Sequence, residues 1–346
     1  MPFIDIVIEP PSYGWQDEKG NLIKPSSGQI MNEFFSRLNV FKSRKNWLPF
    51  LNWLMVLCLI PFLVLFITKF FTWQLLVAGF LYSMIAMGTH GTVWYHRYCT
   101  HKAYEFTNPF WRFITQHLVI KVVPEETYVI SHHVHHAKSD QPGDPYNAQG
   151  GFLYCFLADV NHQAIAKNLN EKDYARLVTY LSDTGVTCNS YTQYQKWGTM
   201  ASPYRIILGW ILNWSFWYGT FYLIGGNGLA CALFGSALVW AVGVRTFNYE
   251  GHGKGKDLRK EGMDFSKDDM SINQFWPGFV AGEWHNNHHL FPKSARSGFL
   301  RHQIDFAWYY IYILYKLKGV SSFNDSKKQF HNMYYSPYKE SQKQAQ

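Results

Sequence analysis

The sequence predicts an all-α integral membrane protein, with four transmembrane helices in two hairpins and a cytosolic helical cap. Three observations predict it. Three long stretches carry no charge, the basic residues are segregated to one side of them, and clustered histidines follow the ends of the apolar stretches. A chain this rich in aromatics (18%) is not disordered. Five cysteines, an odd number without a CxxC pair, do not make a disulfide scaffold. They read as packing residues of a reducing compartment.

The elements follow in order. Residues 1–45 read as a polar cytosolic arm, without a signal peptide. Asn46 to Thr68 is 23 residues without a charge, and Phe70 to Tyr95 is 26 more. Each can cross a hydrocarbon layer of about 30 Å, giving spans at about 46–68 and 71–95. Ile206 to Val244 is 39 uncharged residues, too long for one crossing. Gly225-Gly226-Asn227-Gly228 is a turn signal, so this run divides into spans at about 206–224 and 228–247. With four spans, 31 of the 32 Lys and Arg residues share one side, which the positive-inside rule makes the cytosol. The net charge of +8 therefore marks a membrane orientation and implies no nucleic acid. Mean hydropathy is only −0.20 because apolar spans are averaged with a polar body, residues 96–205 and 248–320. Gln303 to Leu317 is too short to span and reads either as an interfacial helix or as a core helix of the cap. Residues 321–346 read as a solvated polar tail, leaving 46–320 as the membrane domain.

Fourteen of the fifteen histidines fall on the cytosolic side. On a helix, positions i, i+3 and i+4 share a face. His132, His135 and His136 therefore converge, as do His285, His288 and His289, and Asn248 pairs with His252. His133 is turned off its face. His96 and His101 are five apart, which suits a single α-helical face poorly. Either the helix loosens there or the two serve different metals. His90, His117, His162, His302 and His331 stand alone and read as ordinary core or surface residues. Imidazole suits Fe, Zn and Cu, and nine clustered rings exceed what one tetrahedral zinc can use. The cap would thus carry a dimetal site. There is no HExxH, GxSxG or phosphate-binding loop, and His90 is the only ionisable group within a span, which disfavours a transporter.

The HxxxxH (His96, His101), HxxHH (His132, His135, His136) and HNNHH (His285, His288, His289) boxes resemble those of membrane fatty acid desaturases. Their order relative to the spans, the Asn248-x-x-x-His252 element and Asp144-Pro145-x-Asn147 are similar to the stearoyl-CoA desaturase-like branch, over roughly residues 47–318. The resemblance implies a di-iron centre held by the nine histidines of these elements, His252 included, with Asn248 acting on a metal through water. It implies O2 as co-substrate and a double bond introduced into a saturated acyl chain. Asp140, Asp144, Asn147, Glu250 and Glu283 are near enough in sequence to orient the rings. Where the acyl-CoA branch has a basic pair, this chain has Gln149-Gly150, and His133 stands where Arg is usual, so acyl-CoA, acyl-lipid and acyl-carrier protein all remain open as carriers. Asn168 to Thr199 is longer than the usual link and reads as a passive insert, a lid or a headgroup site. No cytochrome b5 His-Pro-Gly-Gly element occurs, so a separate donor of the ferredoxin or cytochrome b5 type is expected, docking on Lys254, Lys256, Arg259 and Lys260 or merely passing a solvated loop. The expected setting is a bacterial inner membrane rather than the ER, with the active site and both termini cytosolic. A hydroxylase or acetylenase on the same scaffold, or a non-catalytic membrane metal-binding or receptor-like protein, are the rival readings.

Overall fold

A computed structural model describes residues 2–158, 168–252 and 284–344. It is mostly helical. Three helices are long and apolar enough to cross a membrane: Arg44–Phe70, Trp73–Thr100 and Pro203–Gly251. The first two are joined by a tight corner. There Thr72 caps the second helix by accepting a hydrogen bond from the Leu75 N–H (3.2 Å).

The third is not one straight rod. Gly225 and Gly226 leave helical geometry, and Gly226 takes φ +66° and ψ −167°, a conformation open in practice only to glycine. The chain folds back at this point. The rings of Trp214 and Phe234 lie 5.4 Å apart, whereas twenty residues of unbroken helix would separate them by about 30 Å. Tyr218 donates to the Asn227 side chain across the bend (2.8 Å).

Small residues set the spacing of these helices. A Cβ on Gly235 would meet the Leu63 backbone at 2.8 Å, and one on Gly79 would meet Ser236 at 3.3 Å. Close backbone approach of this kind is how helices pack where the surroundings are apolar. Phe62 then fills the space between Tyr218 and Phe234. The outward faces carry exposed Ile60, Val64, Ile67, Val77, Leu212 and Leu223. An apolar surface of this extent needs a partner other than water.

The helix Glu125–Lys138 crosses the end of Trp73–Thr100 and packs on it through Val129, Ile130 and Val134, all buried. Helix Phe306–Lys316 closes the same core with Ala307, Ile311 and Leu314 and leaves Tyr309 and Ile313 exposed. It is thus a core helix beside the histidine-bearing helices, with one outward apolar edge. The all-α expectation needs one correction. Tyr104–Phe106 and Val320–Phe323 pair as two antiparallel strands, with Tyr104 opposite Phe323. A pairing across more than 200 residues has no local signature.

Both polar ends are also docked. The arm places Phe3, Val7 and Ile8 in the cap core, and Asp5 pairs with Lys138. The segment after residue 320, read as a solvated tail, instead buries Phe330 against Phe299, their rings stacked at 4.8 Å. Tyr334 and Tyr335 pack beside it, in a segment whose lysines and polar residues mask the short apolar face. The Asn168–Thr199 stretch is packed as well. Tyr174 and Tyr194 stack at 4.5 Å, and Tyr174 donates to the Asn189 carbonyl (2.6 Å).

Replacing Gly235 by Ala should push its helix off Leu63 and lower stability by about 1–3 kcal/mol. Thermal unfolding in detergent should show a lower midpoint than for Gly209→Ala, where a Cβ meets nothing.

Candidate metal centre

Each histidine group is positioned by a distinct backbone device. In the helix Glu125–Lys138, ordinary α-helical spacing puts His132, His135 and His136 on one face. At the end of Trp73–Thr100 the helix widens. The His101 N–H donates to the His96 carbonyl five residues back (3.1 Å), and Thr100 Oγ1 donates to the Tyr95 carbonyl (2.8 Å). A turn closed five residues apart puts i and i+5 on the same face. The two rings sit 4.8 Å apart. Of the two readings of that spacing, the structure shows the loosened helix, with both residues in one group. The short helix His285–Leu290 presents the third box, and His252 ends the helix Phe247–Gly251, its N–H donating to the Asn248 carbonyl (3.2 Å).

These segments converge. His96, His101, His132, His136 and His288 form one group. His135, His252, His285 and His289 form a second. Within each, potential ligand nitrogens lie within 4.8 Å of one another. The groups are interleaved rather than separate. Adjacent His135 and His136 go to different groups, as do His288 and His289. The His136 and His289 rings stack at 4.6 Å across the divide. Nε2 atoms approach to 2.8 Å between His285 and His252 and to 3.0 Å between His288 and His136.

Burial, and secondarily the neighbouring imidazoles, push His101, His132, His288 and His289 well below the usual histidine range. The rings are therefore neutral, with lone pairs available. The Nε2 atoms of His101 and His135 are buried without a hydrogen-bond partner among the described residues. Leaving such an atom unpaired costs about 1–3 kcal/mol. Two cations, one in each group, would satisfy this donor set, so the residues fit a dimetal centre.

Two loop carboxylates reach the rings. His135 Nδ1 donates to Asp144 Oδ1 (2.8 Å), and His252 Nδ1 donates to Asp140 Oδ1 (2.9 Å). Asp144 also accepts the N–H groups of Asp140 (2.9 Å) and Tyr146 (2.8 Å), which ties the two carboxylates into one loop. Asn147 acts within that loop, accepting from the Gln149 N–H and donating to the Gln141 carbonyl. Glu250 lies in the same short helix as Asn248. Glu283, Lys254, Lys256, Arg259 and Lys260 lie outside the described residues.

The isolated histidines stay out of both groups. His90 Nε2 donates to the Thr115 carbonyl (2.9 Å), His331 Nε2 to that of Phe299 (3.2 Å), and His133 packs on the Tyr180 ring. His162 is outside the described residues.

Sequence reasoning missed the residue that ties box one to box three. Arg97, fully buried beside His96, pairs with Asp305 (3.0 Å) and donates to the Ala295 carbonyl (2.6 Å) and Ser297 Oγ (2.8 Å). Ser297 in turn accepts from the N–H of Trp284, at the cap of the box-three helix (3.1 Å). An arginine inside a histidine box was the available signal.

A cavity of about 130 Å³ opens beside His96, His132 and Asn248 and runs between the long helices to Gly91, Trp240 and Ala241. A side chain on Gly91 would meet the Trp240 ring at 3.0 Å, so the glycine keeps that end open.

Residues 71–312 match the fatty acid desaturase family, a stretch that includes all three boxes. The chain belongs to the fatty acid desaturase family. The sn-1 stearoyl-lipid 9-desaturase of Anabaena variabilis is 27% identical, over 77% of this chain and 91% of that protein. The Delta-9 acyl-lipid desaturase 2 of Arabidopsis thaliana is 28% identical, over 70% and 72%. A hex-5-enoyl acyl-carrier-protein acetylenase of Moorena producens is also 28% identical, over 70% and 74%. The chain is thus a membrane oxidoreductase acting on fatty acyl chains, a fatty acyl desaturase.

Arg97→Met would leave Asp305 buried without its partner, at a cost of about 3–5 kcal/mol. Denaturant unfolding of the purified protein should show that loss, and Arg97→Lys, which keeps the charge but loses the fork of contacts, should fall between the two.

Proposed function

We propose that this desaturase works on a membrane lipid's acyl chain with two iron ions and O2. The observation that carries this reading is the convergence of nine imidazoles, seven buried and two half-buried, into interleaved groups of five and four, with a cavity at their edge. His96, His101, His132, His136 and His288 would hold one ion. His135, His252, His285 and His289 would hold the other, with Asn248 acting through water. When bound, two iron ions would activate O2, the oxidant that with two electrons removes two hydrogens from an unactivated CH2–CH2 unit. Overall, R–CH2–CH2–R′ with O2, two electrons and two protons gives R–CH=CH–R′ and two waters.

The chain's own residues do the rest. Asp144 and Asp140 accept the Nδ1 protons of His135 and His252, which leaves each Nε2 lone pair facing inward. Neutral ligands bring no charge to the centre, so the ions keep theirs, which favours oxidation of a strong C–H bond. The mostly apolar cavity would hold the acyl chain beside His96 and His132.

The bend at Gly225-Gly226 supports four crossings in two hairpins, each opening toward the histidines. The segregation of 31 of 32 basic residues to that side supports a cytosolic active site. An intact lipid as carrier is supported by the relatives named for acyl-lipid substrates. Electrons would come from a separate acidic protein docking near Lys254, Lys256, Arg259 and Lys260. Likeness to an acetylenase keeps a second reading, in which an existing double bond is oxidised further.

Expression in a desaturase-deficient host should yield lipids whose acyl chains have lost two hydrogens, with one mapped double-bond position, as read by mass spectrometry. His135→Ala and His288→Ala should abolish that product. Gain of an oxygen would indicate a hydroxylase, and a triple bond an acetylenase.

A further inference from the structure

A second cavity, about 380 Å³, lies where the helix Pro109–Gln116 meets the start of Pro203–Gly243. Its wall is completed by Gly185, Val186 and Thr187, from the stretch that the sequence leaves open as a passive insert, a lid or a headgroup site. The chemistry of this cavity is divided. Its lining combines apolar Met55, Ile206 and Trp210, the cations Arg112 and Arg205, and two carboxylates already held within the protein, Glu125 by Lys121 and Gln116, and Glu126 by the Met200 and Ala201 N–H groups.

The two arginines are not neutralised. Arg112 donates to the Asp183 carbonyl at 3.4 Å and Arg205 to the Thr187 carbonyl at 3.3 Å, long bonds to uncharged acceptors. Among the described residues neither has a carboxylate within ion-pair range. Lys121, on the same wall, is by contrast already paired with Glu125 (2.5 Å). Trp210 adds an unmet donor, since its Nε1 is buried with no acceptor among the described residues. A guanidinium group without a carboxylate partner favours a phosphate.

The setting distinguishes a lipid from a soluble anion. The helix carrying Arg112 exposes Phe110 and Phe113, the pattern of a helix lying in a membrane surface. Arg205 stands at the first turn of a long apolar helix, where a basic residue suits the headgroup region of a bilayer. The cavity also abuts the one beside the histidines. Val123 lines both, and Glu126 of one is followed in the chain by Thr127 of the other.

We propose that this second cavity binds the phosphodiester headgroup of a membrane glycerophospholipid through Arg112 and Arg205, and that the lipid's acyl chain passes Val123 to reach the histidines. The lipid then enters sideways from the bilayer, intact. The headgroup site stands on its own observations, and only the fate of the acyl chain rests on the desaturase reading.

Binding to the purified full-length protein tests it, with dihexanoyl-phosphatidylglycerol, dihexanoylglycerol and inorganic phosphate as probes. The phospholipid should bind, and Arg112→Gln/Arg205→Gln should weaken it at least about tenfold, as expected for lost charge-assisted contacts. Both side chains are at the surface, and an unchanged melting temperature confirms that the variant is folded. Equal affinity of variant and wild type would overturn the proposal. So would diacylglycerol binding as tightly as the phospholipid, or inorganic phosphate displacing it at equal concentration, which would make this a free-anion site. In phosphatidylglycerol vesicles with stearoyl chains, the double variant should show a raised KM for desaturation, and an unchanged KM would overturn the lateral route. If the wild type binds the lipid but desaturates nothing, the desaturase reading fails and the headgroup site stands.

Discussion

Everything in the cap is arranged around one constraint. Nine imidazoles, seven of them buried and His136 and His289 half-buried, must be held together with their nitrogens facing each other. That arrangement is unfavourable by itself, because buried acceptors without donors are destabilising and charged rings would repel. Burial favours the neutral form of His101, His132, His288 and His289, and Asp144 and Asp140 fix His135 and His252 from behind. It holds the box-bearing segments together with the Arg97–Asp305–Ser297 network. A cation in each group would turn the same convergence from a cost into a source of stability.

The interleaving has a mechanical consequence. Because His135 and His136 share a helix but not a group, and His288 and His289 do likewise, neither group can be displaced alone. Rotating the helix Glu125–Lys138 moves nitrogens of both. The two sites are therefore held at a fixed separation by helix geometry, which is what a reaction shared between two metals requires.

Much of this was legible in the sequence because helical periodicity is a strong local signal. The faces of His132/His135/His136 and His285/His288/His289, the bend at Gly225-Gly226 and the apolar runs all follow from spacing and residue type. What was not legible depends on contacts remote in sequence. His96 and His101 meet only because the helix widens there, and residue types do not encode a turn closed by an i to i+5 bond. The strand pair Tyr104–Phe106 with Val320–Phe323, the docking of Phe330 and the arginine-rimmed cavity behind Asn168–Thr199 all join segments far apart in the chain. Arg97 was readable as unusual but not as structural, since its partner is about 200 residues away.

We propose that the two interleaved groups each hold an iron ion through imidazole nitrogen, with a water beside Asn248 as the one oxygen ligand. Metal analysis of the purified full-length protein, combined with X-ray absorption at the iron edge, tests it most directly. The account predicts two irons per chain, each in a shell of imidazole nitrogen with at most a water-type oxygen added. A single metal per chain, or a shell containing sulfur or carboxylate ligands, would contradict it.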